Sequence, residues 1–499
     1  MKNLRRIVQL LLLCLLTACA NNGQGELPVY QDIEDLYGKR VAAASGGCQE
    51  TFLDKTHPEV EVLRMDSDTD MFQALITKRC EAVVIDDYIF HYHSQRVEGI
   101  TKVEGEPLMV EGVGLCFGKG VNVELREQFN EFLKKIKADG TYDEICNRWI
   151  HNTNKAEMPE IELPKSGNPI RVASYSAMPP MVFVKNGKMV GLDAELVTRF
   201  AAYVNRPIHW SDMNFSALIP ALVSGKQDMI ASAVNITAER QKSIDFSDPY
   251  YICNTIICIR EENSVGYTAQ SSSVKSQNFF QTIKTSIHRN IIEEDRYLMI
   301  LDGLKATALI ALLAALFGTL LGAGICWMRM SKSATLRLIA NVYISIMRGM
   351  PVLVLLMIMF YVVFAGTSVG AVAVSVITFG MNFAAYVSEM FRSAIESVDK
   401  GQTEAGIALG FTPVKTFYHI IMPQAFKQVL PVYKGELISL VKMTSIVGYI
   451  AVQDLTKIGD IIRSRTFDAF FPLIMVAILY FVLSWLFTAV LDFIGKKVC

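Results

Sequence analysis

The sequence predicts a multi-domain chain in which an exported α/β part precedes an all-α membrane part. Of 499 residues, 51% are apolar and only 19% charged, with a mean hydropathy of +0.30; spanning helices produce such a skew and soluble domains rarely do. Ala306–Met328 runs without a charge, about 35 Å as a helix and ample for a hydrocarbon core. Residues 170–262 instead alternate short strand and helix patterns: strands over Ile170–Tyr175, Met181–Val184, Met229–Ala233 and Tyr250–Arg260, helices over Ala194–Val204 and Ser216–Ser224. The length suits about three domains of roughly 150 residues. Lys plus Arg (48) balances Asp plus Glu (49), which disfavours nucleic acid as a partner.

Lys2, Arg5 and Arg6 precede the apolar run Ile7–Leu16, which meets Leu16-Thr17-Ala18-Cys19, the layout of an export leader and too short to span. The last four residues resemble a bacterial lipoprotein signal. That resemblance implies cleavage after residue 18 and lipid on Cys19; a generic leader with a chance cysteine is the alternative. Cys48, Cys80, Cys116, Cys146, Cys253 and Cys258 show no CxxC spacing, so no metal site is indicated and the redox state stays open.

In the C-terminal part, Ala306–Met328 is the first span. The uncharged stretch Gly349–Ser388 fits two spans joined near Gly366–Gly370, and Ala469–Leu491 is the last. A weaker fourth candidate, Leu430–Gln453, carries Glu436 and Lys442 and needs partners inside a bundle. Five spans result. Arg329, Lys332 and Arg337 after the first span, and Arg392, Lys400, Lys415 and Lys427 after the third, place those loops in the cytoplasm; Lys457, Arg463 and Arg465 oppose the rule. Phe279–Ile292 has apolar residues at helical spacing with Lys284, His288 and Arg289 between them. It suits a helix on the membrane surface, or else a buried one.

Between the third and fourth spans stands Glu404-Ala405-Gly406, then Gly410, then Ile420-Ile421-Met422-Pro423. A helix, a glycine turn and a second helix make a knob that can seat in another protein and move with it. The spacing resembles the coupling loop of ATP-binding-cassette (ABC) importer permeases, with Gly406 for the family's second Ala and Met422 for its Leu. The flanks Arg348-Gly349-Met350-Pro351, Tyr386–Arg392 and Lys442–Ser445 resemble its polar amino-acid branch. The resemblance implies a cytoplasmic ABC ATPase as partner and a permease dimer, with a homodimer the economical choice and a heterodimer left open. No Gly-Lys pair is followed by Ser or Thr, so a phosphate-cradling loop is absent. The chain is therefore expected to be no enzyme and to need no cofactor of its own, with ATP used by the partner.

Gly191-Leu192-Asp193, Phe215–Leu222, Ile236–Arg240 and Ile244–Tyr251 resemble the first lobe of periplasmic solute-binding proteins for polar amino acids. Asp35–Val41, Ser45-Gly46-Gly47 and Glu81–Asp86 resemble the second lobe, and Gly112–Trp149 the return to the first. The expected fold is thus a two-lobe periplasmic-binding-protein-like α/β domain, circularly permuted, plus an all-α transmembrane ABC importer permease domain. Boundaries fall at 1–18 (leader), 24–150 (lobe two and the closing part of lobe one), 151–167 (linker), 168–262 (lobe one), 263–294 (tether and amphipathic helix) and 295–499 (permease). Two tandem remnants, each completed by a neighbouring chain, are the alternative. The rotated order is expected to leave one covalent connection between the lobes and a loose hinge.

A free amino acid needs a fixed cation, a fixed anion and an apolar wall. The resemblance assigns Arg240 to the ligand carboxylate, Asp86 to its ammonium and Phe215 to the wall, with Asn235, Ala233, Gly47, Tyr175 and Met178 around them. A surface Arg240, a capping Asp86 and a plain core Phe215 are the other readings. Since Arg240 and Asp86 fall in different lobes, a zwitterion would bridge them and favour closure. The implied protein is the binding and permease subunit of an amino acid importer in a bacterial inner membrane, its receptor outside the cytoplasm. A second function class is a ligand-gated channel, since Ser445–Ile450 faintly resembles a potassium filter, though lacking its second glycine; a third is an enzyme on the exported fold, for which no His, Glu or Lys constellation with catalytic spacing stands in the sequence.

Overall fold

A computed structural model describes residues 28–152, 156–267, 279–365, 367, 369–466, 468 and 470–498. The leader with Cys19, and most of the tether, lie outside the described residues. In chain order the receptor comprises β1 (Arg40–Ala44), α1 (Cys48–Thr56), β2 (Glu61–Met65), α2 (Asp68–Ile76), β3 (Ala82–Asp86), α3 (Asp87–Ser94), β4 (Ile100–Lys102), β5 (Met109–Val113), β6 (Cys116–Gly118), α4 (Val123–Ala138) and α5 (Thr141–Cys146). After the linker come β7 (Ile170–Ser174), β8 (Ala177–Met178), β9 (Val182–Lys185), β10 (Lys188–Val190), α6 (Leu192–Tyr203), β11 (Ile208–Asp212), α7 (Phe215–Val223), β12 (Met229–Ile230), β13 (Ile244–Phe246) and β14 (Tyr251–Arg260).

Two sheets organise these elements. Lobe one holds the order β11-β7-β12-β6-β13; lobe two holds β2-β1-β3-β14-β4, with β5 also on β14. Each sheet thus takes strands from both segments of the chain, and one chain completes both lobes. The amphipathic stripe of α4 closes lobe one: Leu125, Phe129, Leu133 and Ile136 are buried, and Phe129 meets Phe200 of α6 edge-on at 5.2 Å. Below it, Glu195 is fully buried but accepts from Arg148 (2.6 Å) and Trp149 (2.7 Å), which offsets the desolvation of its charge.

The structure departs from two expectations. β14 does not belong to lobe one; it pairs antiparallel with β3, Ile257 opposite Val84. Consequently the chain crosses between lobes twice, at Val113–Cys116 and at Phe246–Tyr251, not once. The crossings are tied together by hydrogen bonds from the Ser247 amide to the Leu115 carbonyl (2.9 Å) and from the Tyr250 amide to the Val113 carbonyl (3.0 Å), so rotating the termini costs the hinge no strand.

The membrane part comprises α8 (Phe279–Ile287), α9 (Arg296–Met330), α10 (Ala334–Gly349), α11 (Val352–Ile358), α12 (Ala371–Glu396), α13 (Lys400–Ala408), α14 (Pro413–Thr416), α15 (Met422–Met443), α16 (Leu455–Thr466) and α17 (Phe471–Val498). Among the described residues three helices are long and apolar enough to cross a membrane, and five spans result if two bent helix pairs each count as one. The span expected to begin at Gly349 is instead the second arm of a 107° bend between α10 and α11, where Pro351 forces its predecessor out of helical geometry. At the α9–α12 contact, a Cβ on Gly318 would lie 2.6 Å from the Gly380 carbonyl oxygen; small residues there let the backbones touch. The surface-helix segment does not lie free: Asn290 is buried and donates to Asp468 at 2.9 Å.

Candidate functional site

The eight residues expected around the ligand line one cleft between the lobes: Gly47, Asp86, Tyr175, Met178, Phe215, Ala233, Asn235 and Arg240. Arg240 opens a short helical turn ahead of β13. Its guanidinium donates to the Asn235 carbonyl (3.1 Å) and, across the cleft, to the Gly46 carbonyl (3.0 Å), and it lies 5.8 Å from the Phe215 ring centroid. Asp86 ends β3 at the N-cap position of α3 but makes no capping bond; its Oδ1 accepts from Gln49 (2.8 Å) and Thr255 (3.1 Å). The neighbouring Asp87 turns away to accept from Asn254 at 2.8 Å. Burial pushes the Asp86 carboxyl up to about 6.

Local geometry accounts for several of these residues. Gly47 is the N-cap of α1, and a Cβ there would lie 2.9 Å from the Ala44 carbonyl oxygen. Ala233 has φ +45° while its amide donates to Asp193 at 2.7 Å, a left-handed residue that is strained for Ala by about 1 kcal/mol. Tyr175 is buried, and its hydroxyl donates to the Asp66 carbonyl of lobe two at 3.1 Å. With Arg240 on Gly46, it clasps the lobes together.

Sequence reasoning missed Gln49 and Asp68, which line the same cleft. It also missed a seam between receptor and membrane part. Lys226 donates to the Thr367 carbonyl (3.0 Å), the Asn214 amide to the Gly448 carbonyl (3.4 Å), and Gln453 to Asp212 (3.4 Å). On α16, Lys457 pairs with Asp212 of lobe one at 3.6 Å and Arg463 with Asp70 of lobe two, while Arg465 pairs with Glu294 at 2.6 Å. These are the three cations that broke the basic-residue rule, and that exception was the available signal.

The loop expected to couple lies at the other ends of the helices that reach this seam. From Thr367 the chain enters α12, about 39 Å long, and from the loop α15 returns about 33 Å to the 3-10 turn Thr444–Ile450 that bears Gly448. In the loop Glu404 and Ala405 are exposed, Gly410 sits at φ +85°, and Pro423 stands in the first turn of α15. Gly406 is buried, and a Cβ there would lie 2.6 Å from Thr416 Cγ2 and 3.0 Å from Ile420 Cδ1; the family's Ala has no room over this threonine. Ile407, Leu409, Val414 and Tyr418 are more than half exposed, an apolar surface of the kind partners cover. Ser445–Ile450 forms a 3-10 helical turn with Val447, Gly448 and Ile450 buried, rather than a row of carbonyls lining a pore, which removes the support for a channel filter.

The family model for bacterial extracellular solute-binding proteins, family 3, matches residues 170–413. It starts at the first residue of β7 and runs beyond Arg260, where the receptor sheets end, into the membrane helices. The putative glutamine transport system permease protein GlnP of Rickettsia felis is 34% identical over 204 residues, 40% of this chain and 94% of the relative. The probable amino-acid ABC transporter permease protein YckA of Bacillus subtilis is 37% identical over 199 residues, covering 40% and 88%. The chain belongs to the amino-acid ABC transporter permeases. The L-cystine transport system permease protein TcyB of Bacillus subtilis is 34% identical over 218 residues, covering 43% and 93%. A crystal structure of an amino acid ABC transporter with histidines covers 44% of the chain and 99% of its own at 33% identity, with a TM-score of 0.38. With a solute-binding domain and a permease on one chain, the protein is part of a polar amino acid ABC importer. ABC permeases work with an ATPase partner in a membrane.

Proposed function

We propose that this permease carries its own receptor on the outer face of a bacterial inner membrane, works as a homodimer through the membrane part, and hands the closure signal to a separate cytoplasmic ATPase. The chain itself catalyses nothing and holds no cofactor. In the cleft, Arg240 takes the carboxylate of a free amino acid by two parallel charge-assisted hydrogen bonds, Asp86 takes the ammonium, and Phe215 with Tyr175 walls the side chain. One observation carries the reading: α12 and α15 have the receptor seam at one end and the Glu404–Pro423 loop at the other. Closure of the lobes on α16 therefore has a rigid path to the knob that the ATPase grips. The test is ATP-driven uptake of labelled amino acids into vesicles holding the full chain and its ATPase. Arg240→Ala and Glu404→Lys are each expected to abolish uptake. Uptake indifferent to both, or a ligand-gated ion current without ATP, overturns the proposal.

A further inference from the structure

The cleft holds one carboxyl more than a zwitterion uses. Asp68, the first residue of α2, is 9% exposed and lines the cleft together with Asp86 and Arg240. Its Oδ2 is buried without a hydrogen-bond partner, and among the described residues no ion pair includes it. Helix capping does not account for it, because Ser67 already accepts from the Asp70 amide at 3.2 Å. A surface aspartate at a helix start gains from the backbone dipole, but this one is withdrawn from water, where an unpaired carboxylate is costly. Burial, then the charge of Asp86, pushes it up to about 7.

Once the ligand carboxylate has met Arg240 and its ammonium Asp86, the cleft is left with one negative charge and one unused acceptor. We propose that Asp68 is a specificity-determining residue that receives a second positive charge, so that the importer takes dibasic amino acids of the lysine, ornithine and arginine class. This rests on the assignment of Arg240 and Asp86 to the zwitterion. A cationic side chain supplies Asp68 with both the hydrogen bonds and the counter-charge it lacks, whereas a neutral amide needs it protonated and an acidic side chain is repelled.

The test is calorimetric titration of the full chain in nanodiscs with lysine, ornithine and arginine against glutamine, glutamate and norleucine, the last being lysine without its side-chain ammonium. Lysine is expected to bind roughly 10- to 100-fold tighter than norleucine or glutamine, the range of one hydrogen bond to a charged group. Asp68→Asn should shrink the lysine-to-glutamine ratio by a similar factor. Glutamine or glutamate binding more tightly than every dibasic amino acid overturns the inference, as does a ratio unchanged in Asp68→Asn. The comparison of lysine with norleucine needs no variant and stands if Asp68→Asn does not fold. If none of the six binds, the zwitterion reading itself fails; if neutral ones bind through Arg240 and cationic ones do not, only the role of Asp68 does.

Discussion

Lys457 of the permease places its ammonium 3.6 Å from the carboxylate of Asp212 in the receptor, and both side chains are almost fully buried. The same ammonium lies 4.7 Å from the ring centroid of Tyr175, at the ligand cleft. Asp212 keeps three further donors, the amide and hydroxyl of Ser176 at 2.9 and 2.7 Å and the Gln453 side chain at 3.4 Å, but the Lys457 ammonium has no hydrogen bond. The two partners are therefore unequal. Asp212→Asn strands a buried cation and is expected to cost about 3–5 kcal/mol of stability, whereas Lys457→Met leaves Asp212 hydrogen-bonded and costs less. Thermal unfolding of both single variants and the double variant measures this, the double variant being more stable than Asp212→Asn alone. Equal single effects that simply add contradict the pairing.

Arg463 and Asp70 tie the other lobe to the same helix. Arg463→Glu is expected to lower ligand-stimulated ATP hydrolysis at least tenfold with ligand still bound, and Asp70→Arg in that background to restore part of it. Failure of the reversed pair to recover any activity would separate Arg463 from lobe two.

In the Glu404–Pro423 loop, Gly406→Ala pushes a methyl against Thr416, which is fully buried with its hydroxyl unpartnered. Overpacking of this kind costs about 1–3 kcal/mol. Thr416→Ala should recover most of the loss and so accommodate the Ala of the family pattern. A Gly406→Ala variant that melts like the parent contradicts the geometry.

Asp86 is pushed up to about 6 by burial, and Asp193, which accepts from Tyr250 and the Ala233 amide, also to about 6. Their unfolded counterparts titrate near 3.8. The folded protein thus binds more protons between about pH 4 and 6, and these groups cost stability as pH rises through that window. Buried His93, lowered to about 3, works the other way and destabilises the fold as pH falls below 6.5. Binding follows Asp86 more directly, with Asp68, Asp87 and Arg240 as its charged neighbours. Affinity for an amino acid is expected to drop as pH falls below about 6, when protonation removes the acceptor for the ligand ammonium. Titration calorimetry between pH 5 and 8 checks this, and a flat profile contradicts it.

The cleft residues were legible because short words carry them: Thr237 through Arg240 fixes a turn and Glu81 through Asp86 a strand end, and the fold brings all eight together. Asp68 was not, since an acid at a helix start looks like a surface charge until its burial is known. The second lobe crossing was hidden because an extended run such as Tyr251–Arg260 pairs with whichever sheet offers a free edge, and that choice is non-local. Likewise Lys457, Arg463 and Arg465 stood out only as exceptions to a charge rule. Their partners Asp212, Asp70 and Glu294 lie between 171 and 393 residues away in sequence.

Ligand-stimulated ATP hydrolysis, measured on the full chain with its ATPase in nanodiscs while both contacts of α16 are cut by Lys457→Met and Arg463→Met, tests most directly whether this helix carries the closure signal. The double variant should keep its basal hydrolysis and bind amino acid but lose the stimulation. Stimulation at the parental level, with both cations removed, would contradict a signal that passes through the seam.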